Sequence, residues 1–342
     1  MYGYSCPIEL PRAKLSIVGS LLVLVSVASW FASIASVGGT SLFFGSYEEY
    51  LEATSSSSGA FSLIWFGLGV GLCFSATSPP SNWRRLSFGI FVIFALFALP
   101  IGLRGEVLFP TLAAAVIAVR RRRKLPSIRV ALLVGSAILV AIALFHDVRQ
   151  VGLQNFSNSA LSGNLLDGLA EMGGTLRPVV EVTRWHNSGE EFIKGASYLA
   201  PFDRALDVIL GQPRLAAQND PRLMNVLVVS RNLGHIGFSP VAEAYHNFAT
   251  LGVVAVMSGI GLLVGRMSQW PLTASYQALI GIILVELLIN VRNAFVAVPV
   301  HIIVGCLLLS TVVIVARSIE TGQRSHPGSL KAYSASRPLQ RR

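Results

Sequence analysis

The feature that most limits this chain is a series of long apolar runs, at residues 15–37, 60–78, 86–103, 105–119, 128–146, 241–264, 272–290 and 296–316. A bilayer core of roughly 30 Å is crossed by about 20 apolar residues of helix. No water reaches that core, so each run must satisfy its own backbone hydrogen bonds, which helices do without a closed barrel. The fourth run is short and Pro110 interrupts it. Charged residues are only 13% of the 342, hydrophobic residues 53%, and mean hydropathy is +0.62, far from the roughly 25% charge of a soluble domain. The expected fold is therefore all-α, a polytopic transmembrane helical bundle of about eight spans. Arg12 and Lys14 before the first run imitate a signal peptide, but the run is too long for one and seven more follow, so it reads as a retained helix.

Basic residues near helix ends stay cytoplasmic. With the N-terminus inside, alternation puts RAK at 12–14, WRR at 83–85, RRRRK at 120–124, Arg129, Arg266 and the tail from Arg317 on one side, 17 of the 27 Lys and Arg, joined by only Glu9 and Glu320. Topology thus accounts for the net charge of +10, and no nucleic acid is needed to explain it. Both termini are expected in the cytoplasm. Residues 1–146 form an N-terminal membrane half of about five helices, 147–238 a large, partly helical extracytoplasmic loop, 239–316 a C-terminal half of about three helices, and 317–342 a basic tail suited to anionic lipid headgroups.

Two outer segments follow from this scheme. SYEEYLEA at 46–53 suits a short interfacial helix or a solvated loop. Residues 147–238 mix Phe156, Leu165, Trp185, Phe192, Tyr198 and Phe202 with charge, unlike a disordered tract; Asn164–Met172 and Pro201–Leu210 read as short amphipathic helices ended by glycine. The cysteines are Cys6, Cys73 and Cys306, none in this loop, so packing on the bundle must order it. No Cys or His cluster has metal-ligand spacing; the six histidines are scattered apart from His235 and His246.

Polar side chains enter the apolar runs at three places. In GFSPVAEAYHNFATLGV, residues 237–253, Glu243, His246, Asn247 and Thr250 fall at i, i+3, i+4 and i+7, one face of a helix, while Tyr245 points elsewhere. In GIILVELLINVRNAF, Glu286, Asn290 and Asn293 share a face and Arg292 sits at its outer end; in ALPIGLRGEVLFP, Arg104 and Glu106 lie in the outer turn between the third and fourth helices. Ionisable groups at membrane depth usually face the bundle interior or a wet cavity; the plainer alternative for Glu243 and His246 is that they dock the outer loop. Together the patches would line an outer-leaflet cavity capped by the loop. Guanidinium groups hold phosphates bidentately, a carboxylate or imidazole can deprotonate a hydroxyl, and a lipid-linked pyrophosphate would bring its charge to this depth. Arg292 fits a snorkelling residue equally well; Arg104, in a Gly-flanked turn, has no evident packing role.

GFSPVAEAYHNFATLGVVAVMSGIGLLVGRM, EMGGTLRPVVEV with EFIKGASYLAPF, and LPIGLRGEVLFPTLAAAVIAV resemble the oligosaccharide repeat-unit (O-antigen, Wzy-type) polymerases of bacteria. The resemblance implies a GT-C-like membrane glycosyltransferase, without metal or cofactor, in the cytoplasmic membrane. It would move a growing glycan from an undecaprenyl-pyrophosphate carrier onto the next lipid-linked repeat, so donor and acceptor are both undecaprenyl-pyrophosphate-linked oligosaccharides. A chain-length regulator and a flippase are the implied protein partners. It points to Glu243, His246 and Arg104 as catalytic and to Glu171, Tyr245 and Asn247 as substrate-binding. Position adds Arg292 and Asn293, and Arg231 of the loop joins the same set. Trp185, Tyr198 and Phe202 offer sugar platforms. Two departures are that family members often have more spans, so the chain is expected to be short at its N-terminus, and that Ala249 stands where glycine is common. A ligase passing finished glycan to another acceptor, a transporter of an anionic substrate, and a membrane scaffold are the competing readings; the last leaves the polar patches unexplained.

Overall fold

A computed structural model describes residues 12–54, 58–122, 127–130, 132–133, 135–136, 152, 174–213, 215–216, 219–231, 233 and 237–324. The elements are helices: α1 Arg12–Val37, α2 Tyr47–Thr54, α3 Ser58–Thr77, α4 Asn82–Ile101, α5 Arg104–Arg122, α6 Arg177–Asn187, α7 Ala196–Leu210, α8 Met224–Ser230, α9 Pro240–Ser268, α10 Ala274–Asn290 and α11 Val298–Arg324. Among the described residues there is no strand. Five segments are long and apolar enough to cross a membrane: Lys14–Val37, Ala60–Thr77, Asn82–Ile101, Pro240–Ser268 and Phe295–Ala316, with Ala274–Asn290 a shorter apolar helix. The chain is thus a polytopic helical membrane protein. Most of the expected fifth span, 128–146, lies outside the described residues, as do Glu171, His235, the expected helix Asn164–Met172 and the tail beyond Arg324. Pro110 does not interrupt the fourth run: α5 continues through it to Arg122. One missing donor near a helix start is tolerated where neighbouring helices hold the rest.

α3 is the centre of the bundle, against α1, α5, α10 and α11. Lipid supplies no hydrophobic drive between helices, so close backbone approach at small residues does the packing. A Cβ on Gly19 of α1 would come within 2.5 Å of the Gly71 carbonyl oxygen, and one on Gly281 of α10 within 2.6 Å of the Cys73 Cβ. Towards the end where α2 lies, Trp30 packs edge-on against Phe94 at 4.9 Å and Phe43 at 5.5 Å, and its indole lies 3.4 Å from the Tyr50 hydroxyl. α2 is thus a real helix folded onto the bundle, with Tyr50 buried.

At the opposite end basic side chains cap helix carbonyls. Lys14 Nζ donates to Ala316 O at 3.1 Å, Arg84 to Ser78 O at 3.0 Å, and Arg120 to Ser268 O and Trp270 O at 3.0 and 3.1 Å. The helix ends at Lys14, Arg84, Arg120 and Arg266 therefore gather at one pole, the grouping that alternation of the spans requires.

Candidate functional site

α9 is not one helix. Phe248 (φ −140°, ψ 20°) and Ala249 (φ 57°, ψ −155°) leave helical geometry inside it, and the Ala249 conformation is one that essentially only glycine adopts without strain. The segment after the break is long enough to span by itself, and its side chains are open to lipid: Leu251 is 83% exposed and Leu262 72%. The segment before it, Pro240–Asn247, buries Glu243, His246 and Asn247 almost completely. Its start is set by Ser239, whose side chain accepts from Ala242 N, with Pro240 in the first turn. Thr250, on the far side of the break, is exposed and leaves the face that uniform helical periodicity gave it.

A break frees two carbonyls, and the segment between α6 and α7 satisfies them. Ile193 N donates to His246 O at 3.2 Å and Lys194 N to Asn247 O at 3.1 Å. The loop reaches there through Lys194 (φ 50°) and Gly195 (φ 91°), and a Cβ on Gly195 would meet the Phe248 ring at 3.0 Å. α6 lies on the first half of α9, and Val182, Trp185, Met224, Val228, Phe238, Ala242 and Ala294 form a small core there. Docking onto the bundle orders this part of the loop.

Glu243 spends both oxygens on that docking. Ser197 Oγ donates to Oε1 at 2.7 Å and Phe295 N to Oε2 at 2.8 Å. Asn247 Nδ2 donates to Ser197 Oγ at 2.8 Å and to Glu243 O at 2.7 Å, and its Oδ1 is buried without a partner among the described residues. Tyr198 lies beside this knot, its ring parallel to Phe248 at 6.3 Å; burial pushes its phenol above the ordinary value, and the charge of Glu243 adds to that.

His246 faces a different set of groups. Its Nδ1 is 2.9 Å from His186 Nε2, and His186 Nδ1 is 2.8 Å from Glu190 O. Tyr245, off the Glu243 face as expected, still belongs here, edge-on to His186 at 5.7 Å and Phe192 at 6.0 Å. Arg231 grips Glu190 bidentately at 2.7 and 2.8 Å and lies over the Trp185 ring at 4.0 Å. Burial pushes the Glu190 carboxyl up, but the hydrogen bonds and charge of Arg231 outweigh it and hold the group below its ordinary value. Trp185 is buried, and Phe202 is exposed.

The other expected residues are more dispersed. Arg292 has an exposed side chain, and its carbonyl accepts from Phe238 N at 3.1 Å, next to the Glu243–Phe295 contact. Asn293 donates to Ile289 O at 3.0 Å and closes the end of α10. Arg104 is buried at the first residue of α5 and is not among the partners of Glu243. Glu286 turns into the bundle, 3.0 Å from His301 Nδ1, whose Nε2 meets Ser62 Oγ at 3.0 Å. Periodicity missed His186, Glu190 and Ser197, which come from the loop, and His301, which comes from α11. The EFIKGASYLAPF stretch carries Ser197; His186 had no local signal. Among the described residues no group of three or more His, Cys, Asp or Glu could hold a metal ion.

A family model described as O-antigen polysaccharide polymerase Wzy matches residues 9–321. Protein CapE of Staphylococcus aureus is 30% identical over 254 residues, 71% of this chain and 53% of CapE. The chain thus spans about half the length of that curated relative. No solved structure matches.

Proposed function

The chain belongs to the O-antigen polysaccharide polymerase Wzy family, and from that premise we propose that it polymerises a cell-envelope glycan from lipid-linked oligosaccharide repeats at the outer boundary of the cytoplasmic membrane. The observation that carries this reading is the break in α9. It holds a buried imidazole where a lipid-facing helix meets a folded outer loop, the level at which a lipid carrier presents its pyrophosphate. The basic pole marked by Lys14, Arg84 and Arg120 is then the cytoplasmic one, with both termini inside.

His246 is the general base. It takes the proton of the acceptor hydroxyl as that oxygen bonds to the anomeric carbon, while the bond from that carbon to the donor pyrophosphate breaks and the pyrophosphate leaves with its electron pair. Glu243, with both oxygens engaged by Ser197 and Phe295, shapes the site and joins α7 to the α10–α11 turn. Arg292, exposed beside that turn, and Arg104 hold the pyrophosphate and stabilise its developing charge. Tyr245, Asn247, Asn293 and Arg231 order the acceptor side; Glu171, the other expected substrate-binding residue, lies outside the described residues. The chemistry calls for no metal or cofactor. A chain-length regulator and a flippase are the expected partners.

The test is elongation in proteoliposomes supplied with an undecaprenyl-pyrophosphate-linked repeat, with products resolved by size. The parent gives a regular ladder and His246→Ala gives none. A parent that transfers once and stops would replace this reading with a ligase.

A further inference from the structure

His246 can act as a base only if its outward nitrogen is bare, and a second histidine decides that. The Glu190 carbonyl can only accept, so the nitrogen 2.8 Å from it, His186 Nδ1, carries hydrogen. In the neutral form of His186 that is its single N–H, which leaves Nε2 as an acceptor. Its partner at 2.9 Å is His246 Nδ1, which must therefore donate. The proton order is thus fixed from a backbone carbonyl outward, and it ends at His246 Nε2, a lone pair with no hydrogen bond among the described residues.

The rings that set this order are held on all sides. His186 stacks on Phe192 at 4.0 Å and 14° and meets Tyr245 edge-on. Trp185 meets His246 edge-on at 5.9 Å and is itself covered by Arg231, which Glu190 holds in place. The same short loop that offers Glu190 O also caps His246 O through Ile193 N, so ring and backbone are positioned by one segment. Such orientation by an outer partner is worth as much to a base as to a metal ligand.

We propose that His186 is a positioning residue that fixes His246 in the Nδ1–H tautomer and leaves Nε2 bare to receive the acceptor's proton. The inference rests on His246 being the base. When Nε2 is protonated, the Nδ1–H···Nε2 contact to His186 becomes a charge-assisted hydrogen bond and stabilises the imidazolium. A residue that merely packed the loop would do neither.

The experiment combines a tautomer measurement with elongation kinetics. Full-length protein labelled with 15N-histidine is examined in bilayers by solid-state NMR at mildly alkaline pH, with His246 assigned from a His246→Gln sample. The parent should show His246 protonated at Nδ1 and bare at Nε2. His186→Leu, which cannot accept, should lose that tautomer and slow turnover about tenfold or more without changing KM for the lipid-linked repeat. His186→Gln, whose Oε1 can accept from Nδ1–H, should recover most of both. A proton on Nε2 in the parent overturns the proposal, as does equal turnover for the Leu and Gln variants. If the Leu variant does not fold, the parent spectrum decides. Parent-like elongation by His246→Gln would remove the base reading, whereas a failed tautomer assignment with an inactive His246→Gln would remove only the role of His186.

Discussion

Among the described residues two histidines are buried at membrane depth, and they are held differently. His301, on α11, is occupied at both nitrogens, by Glu286 of α10 and Ser62 of α3, and its ring stacks on Phe66 at 4.9 Å. His246, on the broken α9, is occupied at Nδ1 alone. The first arrangement ties three spans together, through a hydrogen bond to Ser62 and a 3.0 Å contact with Glu286. The second is as rigid but leaves a lone pair. A buried ionisable group in a membrane protein is a functional candidate by default, and on the proposed mechanism His246 carries chemistry while His301 joins spans.

The sharpest way to break that contrast is to exchange the readouts. His246→Ala should abolish the ladder, a loss of about 10²–10⁴ in rate, in molecules that remain folded in detergent. A His246→Ala variant that elongates normally would put the two histidines in one class. His301→Ala should do the reverse: it leaves a cavity beside Phe66 and takes a partner from Ser62, read as a clear fall in Tm, while turnover per folded molecule stays near the parent's. Loss of turnover in folded His301→Ala would move chemistry into the bundle.

Smaller in effect is the exchange of arginine for lysine, which keeps charge and removes the bidentate fork. Arg104→Lys and Arg292→Lys should each slow elongation about tenfold, a loss of roughly 1.4 kcal/mol. Full activity in both would remove the pyrophosphate clamp and leave His246 without an identified donor site. The loop that carries α7 and α8 offers a pH-dependent test with no bearing on chemistry. Asp220 accepts from Arg222 and Arg204 at 3.0–3.1 Å; the Arg222 hydrogen bonds outweigh its burial and hold its carboxyl below the ordinary value. A depressed folded pKa stabilises above the unfolded value of about 3.9 and is lost as pH falls through the folded one. Asp220→Asn should therefore be less stable than the parent at neutral pH, and the gap in Tm should begin to narrow below about pH 4 and close once the pH is below the folded value. A gap independent of pH would mean that charge is not what holds the loop there.

The spans were readable because lipid imposes one rule over about 20 residues at a time: seven of the eight runs appear as described helical segments, one of them broken at Phe248–Ala249, and five are long and apolar enough to cross a membrane. The polar residues on them were readable as exceptions to that rule. Their partners were not. His186 lies 60 residues from His246 and Ser197 lies 46 from Glu243, distances over which no helical period operates. The face assigned to Glu243 survives through Asn247 and fails at Thr250, because nothing in Phe-Ala marks a break.

That break yields the smallest predicted effect and the one on which the contrast depends. Ala249 sits at φ 57°, ψ −155°, where a Cβ costs about 1–3 kcal/mol. Ala249→Gly removes that strain and gives back about 0.5–1 kcal/mol of unfolded-chain entropy, so the net expectation is stabilisation of about 1 kcal/mol and a rise in Tm of a few degrees, with elongation intact. In a continuous helix the same change would destabilise by about 1 kcal/mol. A fall in Tm would therefore mean that α9 runs straight through residue 249. Ile193 and Lys194 would then have no freed carbonyls to cap, and the loop would lose the contacts that bring His186 to His246.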